Sequence, residues 1–230
     1  MANLLTPPVY DLVCVWPTIR ALRVRTDHDM SLPERMHACL HELRLPITSL
    51  DTVIEQFLPP SRGDQSNLQI LELYQIPDGG RIILSVHGPT VTSLTVVRQP
   101  ASGLADLFTE LEEFVIAGPF WSGPLPTLPK TLMHIRLQVN AFMSDSVLPA
   151  IATAIPSLSN LRLMSVEGAL TTDKYYPTLQ QVCEMHRVEI LVNSSMTGTV
   201  VSKPEELRSP TILIANYASP STISIPVLPR

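Results

Sequence analysis

Charge is sparse in this chain, at 16% of 230 residues, and aromatic side chains are sparser still at 5%. Sixteen basic residues against twenty-one acidic ones leave a net charge of −5. That balance gives no bulk electrostatic reason to bind nucleic acid or an acidic membrane surface. The three cysteines, Cys14, Cys39 and Cys183, are odd in number and far apart, so the disulfide framework of a small secreted domain is not expected. A reducing compartment, cytoplasmic or nuclear, is. The opening segment MANLLTPPVYDLVCVWP lacks a basic start, and Pro7, Pro8, Asp11 and Pro17 break its apolar run, so no signal peptide is read. No uncharged apolar stretch is long enough to cross a bilayer.

Signature motifs are missing as well. There is no glycine-rich phosphate loop, nucleophile elbow, paired-histidine zinc helix or CxxC, which points away from catalysis and from a cofactor or metal. His37, Cys39 and His41 lie close together, yet His37 and His41 straddle a predicted helix-to-strand boundary and no fourth ligand stands nearby. An α/β enzyme or metal-dependent domain with its site near His37 and His41 is therefore the alternative reading. Cys14 and Cys183 sit among apolar neighbours and read as small core residues. The sequon Asn193-Ser194-Ser195 matters only for an exported protein and is discounted.

What the chain does have is 45% hydrophobic residues, enough to bury a sizeable core, and a recurring pattern. A six-residue phrase of apolar, two variable, apolar, one variable, apolar occurs eight times: Ile19-Leu22-Val24, Leu40-Leu43-Leu45, Leu68-Leu71-Leu73, Val91-Leu94-Val96, Leu111-Phe114-Ile116, Leu132-Ile135-Leu137, Leu158-Leu161-Leu163 and Met185-Val188-Ile190. The central residues are spaced by 21, 28, 23, 20, 21, 26 and 27, within the roughly 20–29-residue leucine-rich-repeat period. The last two apolar positions alternate on a short strand and the first plugs the turn entering it. One unit cannot bury its own face, whereas stacked neighbours can.

The expected fold is thus an α/β leucine-rich-repeat solenoid with irregular repeats: a curved parallel β-sheet on the concave face, helices and extended loops on the convex face. The array covers residues 1–193, about eight repeats, and 194–230 form a C-terminal cap strand and mobile tail. Within that tail, TILIANY (211–217) is expected to cover the last repeat. A single copy of such a phrase reads as an ordinary buried strand, so an ordinary α/β domain is the competing fold. Helices are predicted over 32–40, 47–57, 103–110, 144–155 and 176–186, with Ser144 and Asp145 as an N-terminal signal. The proline-rich stretch 118–132 reads as an extended outer segment. Asn140 and Asn193, three positions past the last apolar residue of their units, are expected to turn inward and bond the backbone of the neighbouring turn.

Phrases such as LPTLPKTLMHIRL and IPSLSNLRLMSV resemble the irregular leucine-rich-repeat regions of fungal F-box-type proteins. The resemblance spans about residues 13–193 and rests on periodicity and phrasing. It implies a repeat region that selects the substrate of a ubiquitin-ligase assembly, with an F-box helix bundle holding the ligase scaffold. Here the F-box-like phrase is Leu32-Pro33-Glu34-Arg35-Met36, continuing to Leu40 and Leu43, whose apolar residues the second repeat already uses. A truncated or degenerate member of that family is a further alternative.

Between the last two apolar residues of each unit the side chain must point out of the sheet. That column reads Arg23, Arg44, Glu72, Thr95, Val115, Arg136, Arg162 and Glu189, and the next outward column adds Arg25, Tyr74, Val97, Gln138 and Met164. Arginine, tyrosine and methionine suit a protein partner, and a pair of arginines can seize carboxylates or a phosphate. The expected role is a non-catalytic protein-protein interaction module, ubiquitin-ligase components among its candidate partners. The bland reading of the same arginines is a solvated strand surface.

Overall fold

The structure is a computed structural model that describes residues 20–25, 40–45, 58, 66–76, 81–98, 103–120, 125–138, 147–193 and 211–215. In chain order the elements are β1 (Ala21–Arg25), β2 (Glu42–Leu45), β3 (Ile70–Leu73), α1 (Arg81–His87), β4 (Ser93–Arg98), β5 (Glu113–Phe120), β6 (His134–Leu137), α2 (Val147–Ala154), β7 (Leu163–Glu167), α3 (Tyr176–His186), β8 (Glu189–Asn193) and β9 (Thr211–Ala215). The strands make one nine-stranded sheet in the order β8-β7-β6-β5-β4-β3-β2-β1-β9. Every pairing is parallel. From β1 to β8 each strand lies beside the next one in the chain, so the architecture is α/β with a sequentially ordered parallel sheet.

Register explains the core. Leu22, Leu43, Leu71, Leu94, Phe114, Ile135 and Met164 stand level across successive strands, and each is 0% exposed. Two residues on, Leu45, Leu73, Val96, Ile116, Leu137 and Val166 repeat the layer. Because strand side chains alternate, this apolar set takes one face of the sheet. The return segments close over it with Ile83 and Leu84 of α1, Leu104, Leu107 and Phe108, Ile151 of α2, and Leu179 and Cys183 of α3, all in one hydrophobic cluster. Burying such side chains stabilises by about 1.5–3 kcal/mol each before chain entropy is subtracted.

A repeated backbone device holds each entry turn. The carbonyl one residue ahead of a strand accepts two N–H groups from the following unit: Gln69 O takes Thr92 N and Ser93 N at 2.9 and 3.0 Å, and Glu112 O takes Met133 N and His134 N at 2.9 Å. Small polar side chains on the same turns reach back to the preceding unit. Thr90 Oγ1 donates to Leu68 O at 2.8 Å, Thr131 Oγ1 to Leu111 O at 2.8 Å, and Asn160 Nδ2 to Lys130 O at 2.9 Å. These groups fill the office expected of Asn140 and Asn193. Asn193 instead ends β8 and is exposed, while Asn140 lies outside the described residues.

The phrases of the first six units keep their predicted frame, and the last two shift. Ile135 pairs with Met164 and Met164 with Ile190, so the seventh unit runs Leu161-Met164-Val166 and the eighth places Ile190 at the central position. The reason for the eighth shift is local. Pro177 starts α3, Leu179 and Cys183 seat it on the core, and Arg187 ends it with φ 59 and ψ 37, its N–H returning to Cys183 O and Glu184 O. Met185 is thereby helical and 69% exposed, unable to plug a strand entry.

α3 has the predicted bounds 176–186, and α2 falls inside the predicted 144–155. Residues 103–110 form turns rather than the predicted helix, with Leu104, Leu107 and Phe108 buried. α1 is not anticipated, because its Ile82, Ile83 and Val86 carry strand preference in only seven residues. Of the predicted outer segment 118–132, residues 118–120 belong to β5, 125–132 are free of helix and strand, and 121–124 lie outside the described residues. The predicted helix 47–57, most of 32–40, the phrase Leu32–Met36, Cys14 and the tail after 215 lie outside the described residues.

Two corrections concern the edges. β9 forms within the predicted 211–217, but it pairs with β1, Ala21 level with Thr211 and Arg25 with Ala215. It covers the first strand, not the last. In β5 the backbone closes tightly on β4 where the register shifts between Val96 and Arg98. There a Cβ on Gly118 would stand 2.1 Å from Val97 O, which leaves room for glycine alone.

Candidate functional site on the outward sheet face

Residues between the core positions face away from the apolar cluster. Arg23 stands level with Arg44, Arg44 with Glu72, Glu72 with Thr95, Thr95 with Val115 and Val115 with Arg136, so six members of the predicted column share one row. The shift at β7 and β8 changes the rest. Ser165 stands beside Arg136, and Leu191 beside Ser165. Arg162 precedes β7 and lines an open hollow of about 250 Å³ with Glu110, Glu112, Thr131, Met133 and Asn160. The expected Arg136–Arg162 stack is therefore absent, and Met164, expected outside, is a core residue. Glu189 opens β8 beside Leu163, exposed and two positions earlier in the register than predicted.

Tyr74 follows β3, half-buried, and Gln138 follows β6, exposed. Arg25 closes β1. His41 is exposed, and His37 and Cys39 lie outside the described residues. Among the described residues no group of His, Cys, Asp and Glu could hold a metal ion, and no helix is long and apolar enough to cross a membrane. Cys183 is fully buried, and that burial pushes its thiol up to about 11, keeping it neutral and unreactive.

Two polar clusters occupy the face. In the first, Arg44 bridges Glu42 on its own strand and Glu72 at 3.3 Å on β3. Burial pulls the guanidinium down, but Glu42 and Glu72 outweigh it and hold it above its ordinary value. Arg23, level with Arg44, keeps a buried Nε with no hydrogen-bond partner.

The second cluster was not foreseen and crosses four strands. Ser93 Oγ on β4 donates to Glu113 Oε2 on β5 at 2.7 Å. Glu113 Oε1 lies 3.2 Å from His134 Nδ1 and 2.9 Å from Arg136 on β6. His134 Nε2 lies 2.8 Å from Ser165 Oγ on β7. Part of the signal was available in the column one residue before each central apolar position, which holds Glu42, Ser93, Glu113 and His134 beside the apolar Ala21 and Ile70; Ser165 stands in the other outward row, level with Arg136.

The His134 hydrogen bond, against the opposing effect of burial and with help from Ser93 and Arg136, holds Glu113 down at about 2 from an ordinary 4.5. A depressed carboxylate stabilises the fold fully above its free value, and that contribution is lost as pH falls through about 2. The gap between thermal melts of wild type and Glu113→Gln is expected to open as pH rises from about 2 to 4.5 and to stay constant from there to pH 7. A gap that does not change with pH would show that this carboxylate is not held.

Comparison of the chain with protein-family models, with curated proteins and with solved structures gives no match.

Proposed function

We propose that this chain is a leucine-rich-repeat solenoid and a protein-protein interaction module whose outward sheet face holds the partner. The observation that carries the proposal is the alternation of β2, β4 and β6, joined by the polar Glu72 and Ser165 at the same outward position of β3 and β7, where they are buried. Parallel sheets covered by helices on both faces have near-continuous apolar strands, whereas ELRL of β2 and HIRL of β6 alternate between half-buried and buried residues. The described helices send their buried side chains into the single cluster on the inward side, leaving a face built of Arg23, Arg44, Glu72 and Arg136. A row in which Arg23 and Arg44 stand level and Arg136 follows suits a partner that brings carboxylates. By the resemblance noted above, the partner is the substrate of an F-box-like ubiquitin-ligase assembly.

The test is affinity capture with wild type, an Arg23, Arg44 and Arg136 to Ala variant, and Arg162→Ala as a control outside the row. A partner held by wild type and by the control is expected to bind the triple variant at least about 10-fold more weakly. Equal retention by all three would remove the outward row as the binding surface.

A further inference from the structure

Partner binding asks only for a surface, but at one place the outward face also carries the parts of a nucleophile. We propose that Ser165 is an activated serine, with His134 as its general base and Glu113 as the residue positioning the base, and that it transfers acyl groups from carboxylic esters to water.

The proton placement follows from hydrogen-bond chemistry. An ionised carboxylate accepts and does not donate, so Nδ1 of His134 carries the proton shared with Glu113 Oε1 across 3.2 Å. A general base acts with its second ring nitrogen unprotonated, and in that form Nε2 is the acceptor. The hydroxyl 2.8 Å away must point its hydrogen at that nitrogen, which leaves an oxygen lone pair of Ser165 for attack. Serine, base and acid are recognised by this mutual geometry rather than by position in the chain. Ser93 holds the second carboxylate oxygen at 2.7 Å, so Glu113 is fixed at both ends.

The surroundings supply the other requirements. Ser165 lies in one row between Arg136 and Leu191, with strands about 4.8 Å apart; it is the smallest side chain of the three and is 4% exposed. Arg136 gives one contact to Glu113 and keeps further N–H donors for a developing oxyanion. Leu191, 44% exposed, offers an apolar wall to the acyl chain.

In the reaction the Ser165 oxygen bonds to the ester carbonyl carbon while His134 takes the hydroxyl proton. Collapse breaks the bond to the alkoxy oxygen, and His134 returns the proton to the departing alcohol. Water then attacks the acyl-serine, its proton passing through His134 back to Ser165 as the carboxylic acid leaves.

The experiment uses the full chain with a biotinylated fluorophosphonate, which forms an O–P bond to an activated serine as fluoride departs, and with p-nitrophenyl butyrate. Wild type should be labelled at Ser165 on peptide mapping, and Ser165→Ala should lose both labelling and ester turnover. His134→Ala should fall by at least about 100-fold, with partial rescue by added imidazole, which a structural histidine would not show. Glu113→Gln should lower the maximal labelling rate at least about 10-fold with little change in the half-saturating probe concentration. Circular dichroism confirms that each variant is folded. An unlabelled wild type, a label retained by Ser165→Ala, or a rate indifferent to His134→Ala in a folded variant would overturn the proposal and leave a purely structural hydrogen-bond chain.

Discussion

Replacing Phe114 with alanine is expected to lower stability by about 4 kcal/mol, within the range for emptying a large aromatic from a packed core. Phe114 is fully buried in β5, level with Leu94 on β4 and Ile135 on β6. Removing the ring takes contacts from both neighbours at once, and the backbone ladder on either side limits how far the strands can close on the gap. In an array whose units touch mainly their neighbours, the loss falls on two interfaces in the middle of the sheet. Urea unfolding followed by circular dichroism would measure it, with Leu191→Ala as a comparison, since that exposed side chain should change stability by less than about 0.5 kcal/mol. Equal effects at the two positions would mean that the core is not where this register places it.

Gly118→Ala is expected to destabilise by about 3 kcal/mol, although it adds a single methyl group. The added carbon would meet Val97 O at 2.1 Å and Val97 Cγ1 at 2.7 Å. Both belong to a neighbouring strand at a register shift, so relief requires β4 and β5 to separate. Amide exchange should therefore quicken around residues 93–98 and 113–118 and change little in β7 and β8. A variant with unaltered protection and thermal midpoint would show that the two strands do not approach so closely.

How far the sequence carries is clearest where frames compete. From Leu22 to Leu137 each unit has one way to place its apolar residues, and those strands pair as expected. LSNLRLMSV has apolar residues at 158, 161, 163, 164 and 166, so two frames are equally apolar there. The backbone resolves the choice: Arg162 N and Leu163 N both bond to Met133 O, which fixes Leu161 as the turn plug and sends Met164 inward. A frame error in a strand moves side chains between faces, and so Met164 was placed on the surface. The relay through Ser93, Glu113, His134 and Ser165 was hidden for a different reason: its members come from four separate units, and each alone is an unremarkable polar strand residue.

The place of β9 beside β1 bears on the order in which the chain assembles. Every other ladder joins strands that follow one another in sequence, so each closes a short loop, whereas Ala21 meets Thr211 only after nearly the whole chain is available. Short closures come early and distant ones late. During synthesis the outer edge of β1 thus waits unpaired while the sheet grows away from it, an interval in which that edge is open to other chains. The sheet is begun at one border and sealed at the same border last.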